Sequence, residues 1–238
     1  MDLSTVRDAV MVLVPMILCL SVHEYAHARV AYALGDDTAA SMGRMNVNPL
    51  SHIDLLGTIV FPLISIFSGV PFFGWAKPVP VNPVNFTHRI RMRTGMLLTA
   101  LAGPASNLVF AFGIAVVFKV VTMAGLSDLS LWEALLIPML PPERGMPEVP
   151  PLAHLAGKAF MVNIGLAVFN FLPVPPLDGS RVLAGLLPDR LASRYEFLER
   201  NPVFVILAFA VLISFAGRYL VGPILGLMRI LLVITGNA

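Results

Sequence analysis

His23 and His27 stand four positions apart, with Glu24 directly after the first. On a helix, this His-Glu-x-x-His spacing places two imidazoles on one face, one turn apart. Imidazole nitrogens are zinc ligands, and a carboxylate next to the first of them reaches a water held by the metal. The chemistry suggested is hydrolysis by an activated water, with Glu24 as general base and His23 and His27 holding one catalytic zinc ion. A catalytic zinc takes three protein ligands, so another must come from elsewhere in the chain. The competing reading is a packed pair of histidines with a glutamate facing a cavity, but an ionisable residue inside an apolar helix is costly without a partner or a task.

Asp178 is the candidate third ligand. It follows an apolar stretch and sits among Pro173, Pro175, Pro176 and Gly179. Of the remaining histidines, His52 lies near a polar turn, His88 in a basic cluster and His154 at the opposite end of an apolar span. Asp-Gly is also a common turn pair, so on residue chemistry alone a turn-forming aspartate stands level with a ligand.

The elements that must position these residues are those of a membrane protein. Of 238 residues, 57% are hydrophobic and 13% charged, and the mean hydropathy is +0.83, which exceeds soluble usage. A net charge of +2 without long basic runs argues against a nucleic-acid partner. The single cysteine, Cys19, excludes an internal disulfide framework and reads as a small apolar helix residue. The first apolar run has no Ala-x-Ala cleavage site, and its removal would carry off His23 to His27, so it is expected to remain as a span.

Hydropathy and breaker residues predict helices over 6–34, 94–123, 152–172, 202–215 and 220–234. Residues 38–51 read as a turn or small hairpin. The apolar stretch 55–73 is interrupted by Gly57, Pro62, Gly69 and Pro71, which suggests a span or a re-entrant element. Residues 75–85, rich in proline, cannot be a regular helix. The apolar stretch 131–140 is too short to span and leads into a polar, proline-rich loop, and 181–200 reads as a polar connection at the interface. The expected fold is an all-α polytopic membrane protein with a short β or re-entrant insertion and five to six membrane segments. It forms a single domain over 1–238, with a core at 6–180 and C-terminal helices at 201–235.

Helices 94–123 and 152–172 form an antiparallel pair, so Asp178 emerges where Arg89, Arg91 and Arg93 enter. For Asp178 to reach the histidines, 55–73 should begin and end on that same side. Lys77, Arg181 and Arg190 fall there too, and the bias of basic residues makes that side cytoplasmic.

His23-Glu24-Tyr25-Ala26-His27 and the run from Asn170 to Gly179 resemble the two signature elements of the site-2 protease family of intramembrane zinc metalloproteases. The resemblance extends to Asn46-Val47-Asn48-Pro49, His52-Ile53-Asp54, Gly57-Thr58 and Ala102-Gly103-Pro104, covering roughly 20–180; Leu55 stands where the family often has proline. It implies zinc on His23, His27 and Asp178, Glu24 as general base, and Asn170 near the metal as a holder of substrate or oxyanion. Asn107 is expected to pack or hydrogen-bond across the catalytic helices, and Gly103 to allow close helix approach. Trp75 and the stretch 77–80 read either as an edge of the substrate entrance or, for Trp75, as an interface anchor.

The function this implies is zinc-dependent endopeptidase cleavage in or near transmembrane segments of membrane-anchored substrates, in a lipid bilayer of a bacterial or archaeal cell. A noncatalytic binding or chaperone-like homologue is the main alternative, and a metal-permeation protein the lesser one.

Overall fold

The computed structural model describes residues 3–68, 74–137 and 148–237. Its framework is three long apolar helices, α1 (Leu3–Ala33), α4 (Met92–Met123) and α6 (Pro151–Asn170). Among the described residues these are the helices long and apolar enough to cross a bilayer, the first of them over Ala9–Ala33. α4 is the central element and packs on both α1 and α6. Ala28, Ala31, Ala100, Ala111 and Ala115 are buried along these contacts, because without a hydrophobic driving force in lipid, small side chains let backbones approach and gain dispersion contact.

One end of the bundle is an apolar core. Ala111, Ala115 and Phe118 of α4 pack with Leu131, Ala134 and Leu135 of α5 (Leu131–Leu136), with Phe160 and Ile164 of α6, and with Met228 and Leu232 of α10 (Val221–Thr235). α5 starts with a capping box in which Ser130 and Glu133 satisfy each other's backbone N–H groups. α10 ends at Gly236 in the left-handed conformation, where the Lys119 ammonium meets its carbonyl at 2.5 Å and the Asn237 amide donates to the Ala115 carbonyl at 2.8 Å.

The other end is built from turns. After α1 come the short α2 (Thr38–Ser41), a 3-10 turn (Pro49–Ser51) and a π-helical turn (Leu55–Val60) that continues into α3 (Phe61–Ser68). An extended strap then runs through 75–82 towards α4. The Trp75 N–H donates to the Gly57 carbonyl at 3.1 Å and the Lys77 N–H to the His52 carbonyl at 2.9 Å, while the Thr58 hydroxyl donates to the Trp75 carbonyl at 2.8 Å. Gly57 is required here, since a Cβ would overlap the Trp75 ring. The backbone entering this insertion and the backbone leaving it therefore lie side by side, as expected for 55–73; residues 69–73 lie outside the described residues.

α7 (Asp178–Leu186) and α8 (Asp189–Glu199) follow α6. Arg93 at the start of α4 donates to the Ala184 carbonyl at 2.8 Å and pairs with Asp189 at 2.7 Å, so α7 returns beside the N-terminus of α4, as the antiparallel argument requires. α9 (Pro202–Tyr219) opens on a proline and turns by 90° from α8.

Parts of the expected fold differ from what the described residues show. Among the described residues there is no β-strand, and 38–51 follows the turn reading and not the hairpin one. In 38–51, Asn46 and Asn48 side chains accept the Asn48 and Leu50 N–H groups at 2.8 and 3.1 Å, and such Asx turns satisfy the backbone locally in place of a ladder. Against the five to six membrane segments expected, three helices among the described residues meet the length and hydropathy of a span, or four if the bent pair α8–α9 is one; Leu55–Ser65 and Val221–Thr235 are apolar but shorter. The polar connection 181–200 is almost wholly helical, and the expected apolar stretch 131–140 and polar loop after it are described only to 137 and from 148.

Candidate metal centre

His23, Glu24 and His27 lie in the second half of α1, and all three are buried. Their imidazoles rest on α4 at Gly103, where a Cβ would lie 2.5 Å from His27 Cε1 and 2.6 Å from His23 Cε1. Any side chain at 103 would displace the pair. Asp178, at the start of α7, completes the cluster: its Oδ2 is 3.1 Å from His23 Nε2 and 3.3 Å from His27 Nε2, and the two Nε2 atoms are 3.0 Å apart. Gly179 lets this turn close, since a Cβ there would strike the Phe171 and Leu172 carbonyls.

The protonation of the imidazoles follows from their outer nitrogens. His27 Nδ1 lies 2.7 Å from the Thr99 carbonyl, which can only accept, so Nδ1 carries the proton. His23 Nδ1 lies 2.6 Å from Asn107 Oδ1. The Asn107 amide nitrogen is turned away, donating to Asn163 Oδ1 at 2.8 Å and the Cys19 carbonyl at 3.4 Å, so His23 Nδ1 is also the donor. In the neutral imidazoles both Nε2 atoms then present lone pairs to one another and to Asp178 Oδ2, a buried oxygen with no hydrogen-bond donor. Three converging lone pairs repel unless a cation or a proton lies between them. Ligand atoms about 2.0–2.1 Å from a tetrahedral zinc would be about 3.3 Å apart, close to the observed separations. The donor set, its spacing and its outer hydrogen bonds fit zinc.

Glu24 does not join the ligands. Its Oε2 accepts the Val79 N–H of the strap at 2.8 Å. The strap is held at both ends, by the contacts of Trp75 and Lys77 already described and by Asp36, which accepts the Asn82 N–H at 2.7 Å and the Asn85 amide at 3.0 Å. Asp36 also accepts from the Thr38 hydroxyl and N–H. Burial raises the carboxyl's pKa, but these donors outweigh it and hold the pKa below the usual carboxylate value.

The centre opens into a cavity of about 160 Å³ whose lining includes Glu24, Val79, Thr99, Asn170 and Arg181 beside the three ligands. Asn170 thus reaches the site, as expected, although one of its amide hydrogens is used on the Leu166 carbonyl at 3.0 Å. Pro78 and Val79 line the cavity and Trp75 does not; its ring packs on Phe61 with centroids 5.4 Å apart. His52 and Asp54 act locally: His52 Nε2 lies 2.8 Å from the Asn46 carbonyl, and Asp54 Oδ1 accepts the Gly57 N–H at 2.8 Å.

Asn163, Thr99 and Asp36 join the site without a motif that marks them, while Val79 belongs to the stretch 77–80 that reads as an edge of the substrate entrance. Asn163 did carry a signal, since an amide in the middle of an apolar span needs a partner. Val79 and Thr99 act here through backbone groups, which residue identity does not encode.

Comparison with known proteins agrees with this geometry. The profile of Peptidase family M50 matches residues 11–215. A Bacillus subtilis protein named "Putative zinc metalloprotease YwhC" is 33% identical over 216 residues, 91% of this chain and 86% of that protein. A Mycolicibacterium smegmatis protein named "Putative zinc metalloprotease Rip2" is 28% identical over 183 residues, 74% of this chain and 57% of that protein. No solved structure matches the chain.

Proposed function

The chain belongs to peptidase family M50, the site-2 protease family, and from that premise we propose that it is a zinc endopeptidase cutting peptide bonds in or beside the transmembrane segments of other membrane proteins. The observation that carries the reading is the convergence of His23 Nε2, His27 Nε2 and Asp178 Oδ2, with both outer ring nitrogens committed, within a bundle of apolar helices. Zinc held by these residues would polarise the scissile carbonyl and lower the pKa of the attacking water.

Glu24 is the general base. Its Oε2 is held by the Val79 N–H, so its carboxylate is oriented towards the cavity before substrate arrives. It takes the proton of the attacking water and returns it to the leaving amine nitrogen. Asn170, with one amide hydrogen still free, holds substrate or the developing oxyanion.

The size of the cavity bears on substrate form. A helix about 10–12 Å across with its side chains does not fit in about 160 Å³, so the segment to be cut must unwind and enter extended. Unwinding also frees the carbonyl that a helix keeps bonded to itself. Transmembrane segments weakened by glycine or polar residues are the expected targets, and the lipid bilayer is the other partner.

Lys77, Arg89, Arg91, Arg93, Arg181 and Arg190 cluster towards the site's end of the chain's topology, which supports a cytoplasmic active site under the positive-inside bias. With that orientation the backbone at 52–57 and at 75–77, which lie side by side, both fall on the cytoplasmic side. Both relatives are bacterial, in keeping with a prokaryotic cell membrane.

The test is cleavage of a library of transmembrane substrates by the purified protein in lipid, read by mass spectrometry beside Glu24→Gln. Cutting that is lost with Glu24→Gln and on chelation supports the protease. Equal patterns from the two proteins, with zinc bound and the fold intact, would favour the noncatalytic binding reading.

A further inference from the structure

Hydroxyls within apolar helices usually return to a carbonyl of their own helix. Ser21 donates to the Ile17 carbonyl at 2.7 Å, Ser106 to Gly103 at 2.7 Å, Thr122 to Phe118 at 3.0 Å and Thr235 to Leu231 at 2.8 Å. Thr99 departs from this habit. It is 3% exposed, its Oγ1 is buried with no hydrogen-bond partner, and it lines the cavity beside Glu24, His27 and Asp178. A buried polar atom left unpaired calls for a partner, and Thr99 is one of the residues that line the cavity.

The chemistry of the lining says which partner. Glu24, Asp178 and the two Nε2 atoms accept hydrogen bonds or donate lone pairs. Among the lining side chains, donors come from Asn170, half engaged with Leu166, from Arg181, which is solvent-exposed, and from Thr99. The Thr99 backbone is fixed beside a ligand, because its carbonyl accepts His27 Nδ1–H at 2.7 Å.

We propose that the Thr99 hydroxyl is a catalytic hydrogen-bond donor to the scissile carbonyl oxygen of the bound substrate. As water adds to the carbonyl carbon, the π pair moves onto that oxygen and Glu24 takes the water's proton. Thr99 keeps its own proton and shares it with the oxygen as negative charge builds, which is where a positioned donor lowers the barrier. This rests on the protease reading and names a residue that neither the sequence motifs nor the relatives' names assign.

The experiment compares wild type, Thr99→Val and Thr99→Ser, all loaded with zinc in lipid, on one substrate that the wild type cuts. It measures kcat and KM, zinc affinity by chelator competition, and substrate affinity in the Glu24→Gln background. Thr99→Val, which keeps the shape and removes the donor, is expected to lower kcat by about 10²-fold with zinc and substrate affinities unchanged. Thr99→Ser should recover most of the rate. Thr99→Ala replaces the valine variant if that one folds poorly. Wild-type rates in the donor-free variant would overturn the inference. So would a loss that accompanies zinc loss and is not restored by serine, since the residue would then serve only through its carbonyl. A wild-type protein that cuts nothing would instead sink the protease reading, and this inference with it.

Discussion

The two halves of α4 are built on opposite principles. Its first half sets Gly95, Thr99, Gly103 and Asn107 against the strap region and α1, and these residues are buried and either lack a side chain or carry a polar one. Its second half sets Ala111, Ala115 and Phe118 into a continuous apolar cluster with α5, α6 and α10. The first half gives up dispersion contact to bring donors, acceptors and two imidazoles together. The second half supplies the close packing that keeps α4 and α6 from separating under the cost of those buried polar groups. One helix therefore serves both as a wall of the site and as its scaffold, and the two duties should separate under mutation.

The largest separation is expected at the ligands. Asp178→Ala should abolish stoichiometric zinc binding and cleavage together, whereas Glu24→Gln should retain zinc and lose about 10²–10⁴-fold in rate; metal analysis alongside the cleavage assay checks both. If Asp178→Ala kept its zinc, the aspartate would be a turn residue after all.

Next comes the support behind the ligands. Asn107→Leu removes the acceptor of His23 Nδ1–H and strands Asn163, so zinc affinity should fall by about 10–100-fold, measured by chelator competition. The same substitution should barely change the packing of the apolar half, seen as unaltered protection of α5 and α10 in hydrogen exchange.

A smaller effect is expected at Asp36, whose depressed pKa has a definite sign. Its carboxylate gains donors on folding, so it stabilises the strap at pH values above about 3.9, its unfolded value. That contribution is lost as pH falls through the lower folded value. Asp36→Asn puts an amide where an acceptor is needed, costing about 1–3 kcal/mol. Hydrogen exchange of residues 77–85 should quicken at neutral pH in the variant and only at acid pH in the wild type.

Least of all should the site feel Phe160→Ala. Opening a cavity among Leu131, Ile164 and Met228 should cost about 3–5 kcal/mol of stability and lower the melting temperature. Zinc stoichiometry and the cleavage rate well below that temperature should stay near wild type. A parallel loss of rate would show that the two halves are mechanically one.

How far the sequence could be read varies along the chain in step with these two designs. The long helices were legible to within a few residues because apolar length is a property of the segment alone. The insertion was not, since the choice between a ladder and Asx turns in 38–51 depends on which donors neighbouring side chains capture. Asn107 reads as a cross-helix residue, yet its bond to His23 needs the register of α1 on α4. Asn163 carries only the general signal of an amide inside an apolar span, which names no partner.

By itself the sequence determined that His23, Glu24 and His27 share one helical face, that the chain belongs in a bilayer, and that Asp178 follows an apolar helix beside a proline-rich turn. These are consequences of a 3.6-residue period, of hydropathy and of local turn chemistry. Only the tertiary structure decided that Asp178 meets the imidazoles, that Val79 holds the base and that Thr99 is left with an unpaired hydroxyl. Each depends on the docking of α7, the strap and α4 around α1, and the groups that meet are backbone amides, ring nitrogens and single oxygens whose partners no local pattern specifies.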